Sequence, residues 1–331
     1  MKPTIFVGID ISKLTLDFAV IKEVDFVLTK KIENSAKGIN EFMGTLKSDF
    51  RSTRGNTVYC AEQMGIYAKF LKEVFWRRKA HICFETPLQI WLSLGIQREK
   101  SDVLDAMRIA DYARKNAGTL KFWSPPRSCI EKLRTLRSIR KKLLKIRAMI
   151  MSTKTVESHF LTGVRRDEVW KYSNASLKSV ESDVKIIEKE MAEIVDHDEQ
   201  LRELVGLITS VPQVGEIIAI EMIILTNEFR DITSPKKFAC FCGIAPFSRT
   251  SGTSVNRKPK ISPIGNKDMK KILHLAAIQS AKPGKTSIKT YYARKVGEGK
   301  NKMSVLNAVR NKLVRVIFAC VREKKPYEER V

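Results

Sequence analysis

Four acidic residues have the types and spacing of a site that binds divalent cations: Asp10, Glu62, Asp102 and Asp105. Asp10 ends an almost continuously apolar run, TIFVGID, which is typical of a buried strand, and Glu62 ends TVYCAE in the same way. Asp102 and Asp105 lie three residues apart in a segment with helical periodicity, so both side chains project from one helix face. Clustered carboxylates suit Mg²⁺ or Mn²⁺, and two such ions can clamp a phosphodiester. A single strand-end carboxylate commonly caps the next helix, so the prediction rests on all four together.

The elements that must position these carboxylates follow an α/β pattern in which three strands precede the first helix. Expected strands cover residues 3–10, 14–21, 25–33, 56–62 and 79–84, and expected helices cover residues 36–48, 65–77 and 101–115, the last capped by Ser101. This arrangement resembles the ribonuclease H-like fold, and the four acidic residues resemble those of the RuvC Holliday-junction resolvases. An actin-like sugar kinase or ATPase fold also opens with a Gly-Ile-Asp strand and a hairpin. It needs a phosphate-binding glycine loop later in the chain, and the sequence contains none.

The composition indicates a basic chain of more than one domain. A length of 331 residues exceeds the usual size of a single domain, so we expect two or three. The formal net charge of +25 points to a polyanionic partner, although a soluble basic protein without one is the alternative. Residues 249–331 contain 21 Lys and Arg against 5 Asp and Glu, so we expect this final quarter to lie against nucleic acid.

The cysteine spacing argues against a zinc-binding protein, and the hydropathy argues against a membrane or secreted protein. The six cysteines lack the paired Cys-x-x-Cys spacing of a zinc site, and the nearest pair, Cys240 and Cys242, lies in the apolar run FACFCGIA. We therefore expect buried free thiols. Charged residues interrupt every apolar run, and no signal peptide or bilayer-spanning stretch is found. These features predict a cytoplasmic protein without a membrane partner.

A long helical segment follows the first domain. The sequence WSPP at residues 123–126 marks a break, and apolar residues then recur at three- and four-residue steps through helices expected at about residues 128–160 and 173–198. Two such helices form either an antiparallel hairpin or an oligomeric coiled coil, and the apolar stripes favour neither. Lys and Arg crowd the first helix, which fits a solvated face and a nucleic-acid contact equally well.

A short turn, VPQVG at residues 211–215, lies between two further helical runs. It is similar to a helix-hairpin-helix element, in which backbone amides at the turn approach a DNA phosphate. An ordinary turn between two helices is the alternative.

The most specific motif begins at Phe238. It contains CGIAP, then a Ser-Gly pair at residues 251–252, then ISPIGN, and then a basic helix. Together with Asp10, Glu62 and the KSDVLDA helix, it resembles the DEDD transposases of bacterial insertion sequences, whose relatives include the Piv-type site-specific DNA invertases. The resemblance covers nearly the whole chain. It implies a RuvC-like domain, a helical coiled-coil segment and a C-terminal transposase domain with a nucleophilic serine, which matches Ser251.

The resemblance also implies a mechanism and partners. Ser251 attacks a DNA phosphate to form a phosphoserine link, assisted by divalent ions at the four carboxylates. That link conserves the free energy of the cleaved bond, so strand exchange needs no external energy. The acidic site of one subunit is implied to act with the serine of another, in dimers that assemble to tetramers through the coiled-coil segment. Guidance by a structured noncoding RNA that pairs with donor and target DNA is implied as well.

The residues around Ser251 are compatible with this chemistry. A serine hydroxyl needs a base, a metal or a favourable electrostatic setting to act as a nucleophile, and nearby cations hold a phosphodiester and stabilise developing charge. The candidate cations are Arg249, Arg257, Lys258, Lys260, Lys267, Lys270 and Lys271. Spacing alone does not separate Ser251 from four rival hydroxyls, Ser248, Thr250, Thr253 and Ser254. Without the family match, the segment SRTSGTS is typical of a surface loop.

We therefore predict an α/β plus all-α chain with three parts: a RuvC-like (ribonuclease H-like) domain at 1–125, a helical coiled-coil segment at 126–200, and a mainly helical C-terminal transposase domain at 201–331. The predicted function is that of a transposase or site-specific DNA recombinase. The alternatives are a Piv-type DNA invertase, a plain metal-dependent nuclease that directs water at a phosphate, and a non-catalytic nucleic-acid-binding protein. The nuclease alternative predicts that Ser251→Ala keeps its activity. The binding-protein alternative predicts that Asp102→Ala leaves every DNA transaction unchanged.

Overall fold

The computed structural model describes residues 3–93, 95, 99, 101–152, 155, 160, 164–251, 255–282 and 287–329, with the backbone alone for 164–166, 169, 249, 251 and 255–258. The chain forms two compact units, Met1–Pro125 and Pro126–Val331. The first is a mixed α/β unit, and the second is mainly helical. The predicted fold class is therefore confirmed.

A mixed five-stranded sheet forms the centre of the first unit. Its strands are β1 Ile5–Ile11, β2 Thr15–Lys22, β3 Asp25–Glu33, β4 Thr57–Glu62 and β5 Ile82–Glu85. Their spatial order is β3-β2-β1-β4-β5, with β2 antiparallel to β1 and β3, and β4 parallel to β1 and β5. This order places the carboxyl ends of β1 and β4 side by side.

Helices cover both faces of this sheet, because successive side chains on a strand point to opposite faces. The helices are α1 Ala36–Phe50, α2 Lys69–Arg77 after a 3₁₀ turn at Gly65–Ala68, α3 Pro87–Ser93 and α4 Asp102–Lys115. Ile9 and its neighbours on one face pack with buried residues of α1 and α2. Phe6, with Cys60 of β4, packs on the other face against Ala106 and Ala110 of α4. We call this second face the α4 face.

Helix α4 lies very close to β1 at Gly8. A Cβ atom placed on Gly8 would be 2.1 Å from the carbonyl oxygen of Ala106 and 2.3 Å from the backbone nitrogen of Ala110. A glycine on the strand and small residues on the helix are therefore needed for this approach. The contact fixes the position of α4 over the sheet.

The second unit contains eight described helices and one hairpin. The helices are α5 Ser128–Ser152, α6 Val164–Asp196, α7 Glu199–Thr209, α8 Glu216–Thr226, α9 Pro235–Phe241, α10 Lys267–Ser280, α11 Ser287–Gly297 and α12 Lys302–Glu323, and the hairpin pairs β6 Pro246–Ser251 with β7 Val255–Ile261. One core joins the start of α5 and the end of α6 to all the later helices, with Phe238, Leu273 and Leu313 among its buried members.

The long helices α5 and α6 pack against each other within one chain. Ion pairs join Lys132 to Glu190, Arg140 to Glu188 and Arg147 to Glu181, so residue numbers rise along α5 while they fall along α6. The two helices are therefore antiparallel, which is one of the two arrangements that the sequence left open. The predicted oligomeric coiled coil stays a prediction.

Several expectations from the sequence need correction. The helix expected at 65–77 starts with a 3₁₀ turn, and the strand expected at 79–84 begins only at Ile82, because Lys79 has a positive φ of 53° that ends the preceding helix. The second long helix begins at Val164 rather than at residue 173, and most of residues 153–160, expected to be helical, lie outside the described residues. Cys240 is exposed, since α9 turns its other face, with Phe238 and Ala239, to the core, and Cys129 at the start of α5 is half-buried. No described helix has the length and apolarity needed to cross a membrane.

Candidate active site

Asp10 and Glu62 lie at the carboxyl ends of two neighbouring parallel strands. The parallel pairing of β1 and β4 runs to Ile9 opposite Ala61, so the next residue on each strand points to the α4 face. Both side chains are half-buried. The sheet therefore brings together two carboxylates that are 52 positions apart in the sequence.

Helix α4 carries the other two carboxylates in its first turn. The hydroxyl of Ser101 accepts a hydrogen bond from the backbone nitrogen of Leu104 at 3.2 Å, which is the predicted N-cap. Asp102 and Asp105 follow the cap directly, at the end of the helix where the macrodipole stabilises negative charge. The contact at Gly8 holds this turn over the α4 face of the sheet.

Electrostatic interactions show that these four carboxylates share one region. The pKa of the Asp10 carboxyl is raised to about 6, first by burial and then by the negative charges of Glu62, Asp105, Asp102 and Asp17. Like charges raise a carboxyl pKa only at short range, so Glu62, Asp105 and Asp102 each lie within electrostatic reach of Asp10. A group of mutually repelling oxygen donors is stabilised by a cation, and hard oxygen donors suit Mg²⁺ or Mn²⁺.

Two of the carboxylates are held by cations of the protein. Asp102 Oδ2 lies 3.3 Å from the ammonium of Lys31, and Asp105 Oδ1 accepts a 2.7 Å hydrogen bond from Arg108. Among the described residues, no three His, Cys, Asp or Glu side chains are placed to hold one metal ion. The carboxylate oxygens thus fit a divalent ion. To bind the same ion as Asp10, the side chains of Asp102 and Asp105 would have to turn away from Lys31 and Arg108.

Sequence reasoning missed Asp17 and Lys31. Antiparallel pairing sets Asp10 on β1 opposite Asp17 on β2, and Asp17 opposite Lys31 on β3, so the three side chains form a row on the α4 face. Asp17 is 2% exposed, and its Oδ2 lies 3.3 Å from Lys31 Nζ. Lys31 therefore bridges Asp17 and Asp102, and both contacts raise the pKa of its ammonium. The signal in the sequence is an acidic residue inside the otherwise apolar strand TLDFAVIK.

The proposed nucleophile lies in the second unit, at the end of a strand rather than in a loop. Ser251 is the last residue of β6, and its backbone pairs with Val255 of β7. Its side chain lies outside the described residues, as do those of Arg249, Arg257 and Lys258. Of the rival hydroxyls, Ser248 and Thr250 are exposed on β6, whereas Thr253 and Ser254 lie outside the described part of the chain.

The remaining candidate cations are described and face solvent to different degrees. Lys260 is exposed on β7, Lys267 and Lys271 are exposed in the first turns of α10, and Lys270 is half-buried. Helix α10 is capped by Asn266, whose Oδ1 accepts a hydrogen bond from Met269 at 2.9 Å. Their role in nucleic-acid binding stays a prediction.

The VPQVG turn joins α7 to α8. Val211 and Val214 are buried there, and Gln213 has a positive φ of 67°. The turn amide of Val214 donates a 3.1 Å hydrogen bond to Val211 O. The helix-turn-helix arrangement agrees with both interpretations of this motif, and its contact with a DNA phosphate stays a prediction.

Known proteins resemble this chain over nearly its whole length or over somewhat more than a third of it. The pilin gene-inverting proteins of Moraxella bovis and Moraxella lacunata are each 22% identical to it, over 98% of both chains. The insertion element IS110 uncharacterized 43.6 kDa protein of Streptomyces coelicolor is 27% identical over 38% of this chain and 30% of that protein. A solved structure of Thermus thermophilus RuvC in complex with Holliday junction substrate aligns with 36% of this chain and 99% of that chain, at 14% identity and a TM-score of 0.29.

Two families match most of the sequence. Residues 7–156 match the family of DEDD transposases of the IS110 type. Residues 205–293 match the transposase IS116/IS110/IS902 family. The fold and these matches define the class of the protein as a transposase, an enzyme that acts on DNA. The chain belongs to the IS110 family of transposases, which confirms the predicted resemblance to the DEDD transposases of bacterial insertion sequences.

Proposed function

We propose that this protein cleaves and rejoins DNA strands through a covalent serine intermediate, with divalent ions bound at Asp10, Glu62, Asp102 and Asp105. The observation that carries the proposal is the parallel pairing of β1 with β4 up to Ile9 and Ala61, which sets Asp10 and Glu62 side by side. The raised pKa of Asp10, caused first by burial and then by the charges of Glu62, Asp105 and Asp102, supports it. In a transposase, such a group of oxygen donors is best explained as a site for divalent ions that stabilise negative charge at a DNA phosphate.

The proposed division of labour follows from the positions of the residues. Bound Mg²⁺ or Mn²⁺ supplies Lewis-acid stabilisation of the negative charge that develops at the phosphate and its leaving oxygen. Asp10 and Glu62, fixed at the ends of β1 and β4, provide the rigid half of the ion site. Asp102 and Asp105, released from Lys31 and Arg108, provide the adjustable half.

Ser251 is the proposed nucleophile. Its oxygen forms a bond to phosphorus while the bond from phosphorus to one strand oxygen breaks, and the proton that the serine loses is balanced by the proton that the leaving oxygen gains. A second strand hydroxyl then attacks the phosphoserine and releases Ser251, which regains a proton as the hydroxyl loses one, so the phosphorus keeps two ester bonds at every stage. The candidate cations, including Lys260 on the same hairpin, balance the charge at phosphorus.

The proposed partners are DNA, a structured noncoding guide RNA and further copies of the chain. The net charge of +25, concentrated in residues 249–331, supports contacts with the backbones of both nucleic acids. Ile139 and Ile146, seven residues apart on α5, are 42% and 44% exposed, which supports association of α5 with another copy in dimers and tetramers. Base pairing of the guide RNA would then select the sequence.

Inversion of a DNA segment is the second candidate activity. The match to two pilin gene-inverting proteins spans 98% of this chain, which favours the same strand chemistry applied to two sites in one molecule. Transposition and inversion differ in the arrangement of the DNA sites rather than in the proposed active site.

A recombination assay tests the proposal. The gene is placed with its natural flanking DNA on a plasmid, and excision, transfer and inversion products are counted by sequencing. We expect Asp10→Asn and Ser251→Ala to reduce all products at least a hundredfold, while Lys30→Met, an exposed residue on the other face of β3 from Lys31, leaves them within about twofold. Normal product levels from Ser251→Ala would support a nuclease that uses water, and normal levels from Asp10→Asn would refute the carboxylate site.

A further inference from the structure

A cavity of about 750 Å³ lies in the second unit between the base of the β6–β7 hairpin and helix α12. Its volume falls within the range of roughly 300–1,000 Å³ that is typical of ligand sites. Four basic residues contribute to its lining: Lys260, Arg310, Lys312 and Arg315. None of the described residues that line it is acidic. The cavity is therefore strongly electropositive.

Arg310 is the unusual member of this lining. It occupies the apolar face of α12 between Leu306 and Leu313, and it is only 5% exposed. Within the described chain it has no ion-pair partner, and its buried Nε donates to no hydrogen-bond acceptor. Burial lowers the pKa of its guanidinium, without an opposing carboxylate. A buried arginine that lacks an anion is energetically costly, so its position lining the cavity calls for an anionic ligand.

The rest of the lining suits a nucleotide better than a simple anion. Asn307 and Asn311 each donate a hydrogen bond from Nδ2 to the carbonyl oxygen of Ile244, at 2.9 and 3.0 Å. Asn307 Oδ1 is then left as a buried acceptor without a donor among the described residues. A phosphate has no hydrogen to donate to it, whereas a base amino group or a sugar hydroxyl does. Lys312 is fixed over the ring of Tyr291, at 4.2 Å from its centroid.

We infer that this cavity binds one phosphodiester segment of single-stranded nucleic acid, with Arg310 as the buried phosphate contact and Lys260, Lys312 and Arg315 at its rim. The inference rests on the proposed function, since it gives the recombinase a place where a separated strand is held beside the hairpin that carries Ser251. Neither the metal site nor the serine is needed for this binding.

Binding of fluorescein-labelled single-stranded dodecamers, in matched DNA and RNA versions, tests the inference by anisotropy at several salt concentrations. We expect Arg310→Met to weaken binding about tenfold or more and to lower the salt slope by about one. The matched control is Arg322→Met, which removes an exposed cation from the same helix and should weaken binding less than twofold. Loss of affinity for both the DNA and the RNA dodecamer would assign a contact to the phosphate backbone. Loss of affinity for one of them alone would identify the nucleic acid that the cavity holds.

Two further measurements separate this site from structural damage and from the proposed function. Because Arg310 is buried without a partner, Arg310→Met should unfold at the same temperature as the unaltered protein or higher, and the rim variant Lys312→Gln with Arg315→Gln should reproduce the binding loss. Unchanged affinity in both variants, or an equal loss in Arg322→Met, would overturn the inference. Asp10→Asn should bind the dodecamers with unchanged affinity. The binding assay therefore tests the cavity, and the recombination assay tests the proposed function.

Discussion

At the scale of single residues, the ammonium of Lys31 and the proposed divalent ion would compete for the same carboxylate, Asp102. Lys31 contacts the buried Asp17 and the exposed Asp102 at 3.3 Å each. A divalent ion that binds Asp10 and Asp102 must displace this ammonium from Asp102. Lys31 then keeps Asp17, which is next to Asp10 in the sheet, neutralised. In the proposed ion site, Lys31 would therefore position the carboxylates rather than bind the ion.

Replacement of Lys31 tests this view. We expect Lys31→Met to lower the unfolding temperature without divalent ions, because Asp17 loses its cation, and to bind Mn²⁺ about fivefold more tightly, because a competing charge is gone. Isothermal titration with Mn²⁺ and thermal unfolding with and without Mg²⁺ measure both effects. Lys30→Met, which removes an exposed cation one residue away on the opposite face of β3, is the control. Equal Mn²⁺ affinity in all three proteins would show that Lys31 does not compete.

The sequence predicted the residues that local patterns reveal and missed those that depend on register. Asp10 and Ser101 stand at the ends of strongly patterned elements, so their roles as strand end and helix cap were predictable. The row from Asp10 through Asp17 to Lys31 depends on how β1, β2 and β3 align, which no local pattern encodes. The buried Arg310 was missed for a different reason, because an arginine on a basic helix normally faces water.

At the scale of elements, the site depends on how closely α4 approaches β1. A side chain at Gly8 would overlap the backbone of α4 at Ala106 and Ala110. The helix would have to move outward, and its first turn would carry Asp102 and Asp105 away from Asp10. The glycine in the apolar run TIFVGID thus determines the geometry of the carboxylates as well as the packing.

Gly8→Ala should therefore cost about 3 kcal/mol of stability and abolish recombination, since backbone atoms cannot yield as a flexible side chain does. Gly44→Ala on α1 is the matched control, because a Cβ there meets no atom within 4 Å. It should raise stability by up to about 1 kcal/mol through helix propensity. Denaturant unfolding measures both changes. A Gly8→Ala protein as stable and active as the original would contradict the close approach of α4.

Arg127 joins three elements of the second unit. Its guanidinium, just before α5, pairs with Asp198, the N-cap of α7, and with Glu228, whose side chain is fully buried after α8. Removal of the cation leaves Glu228 with only Arg230, at 3.5 Å, among the described residues.

Arg127→Met should lower the free energy of unfolding by about 2 to 3 kcal/mol, because a buried carboxylate loses its principal partner. Arg230→Met, which removes a half-exposed and longer contact to the same carboxylate, should cost less than about 1 kcal/mol. Urea unfolding followed by circular dichroism compares the two variants. Equal costs would show that Arg127 has no special role in joining these elements.

At the scale of the whole molecule, the uneven charge predicts how nucleic acid is bound. Residues 249–331 carry 21 of the basic residues and 5 of the acidic ones, and they include the hairpin, α10, α11 and α12. If this quarter contacts six or more phosphates, affinity for duplex DNA should fall about a thousandfold between roughly 50 and 200 mM salt. Anisotropy titrations measure the slope. Affinity that hardly changes with salt would contradict backbone binding by this quarter.

The fold class and the family were predictable at this scale because the motifs extend along the whole sequence. The periodicity of each long helix is local, and the order of strands and helices in the first unit is typical of one fold. The antiparallel pairing of α5 with α6 was not predictable, since matching apolar stripes serve one chain or several equally well.

The most direct test of the account is to trap and map the covalent link between protein and DNA. The protein is incubated with its flanking DNA and Mg²⁺, denatured, digested and analysed by mass spectrometry. We predict a nucleotide attached to Ser251, and its absence from Ser251→Ala, from Asp10→Asn and from reactions without divalent ions. A nucleotide attached to Ser248, Thr250 or Ser254, or cleavage without any attached nucleotide, would contradict the account.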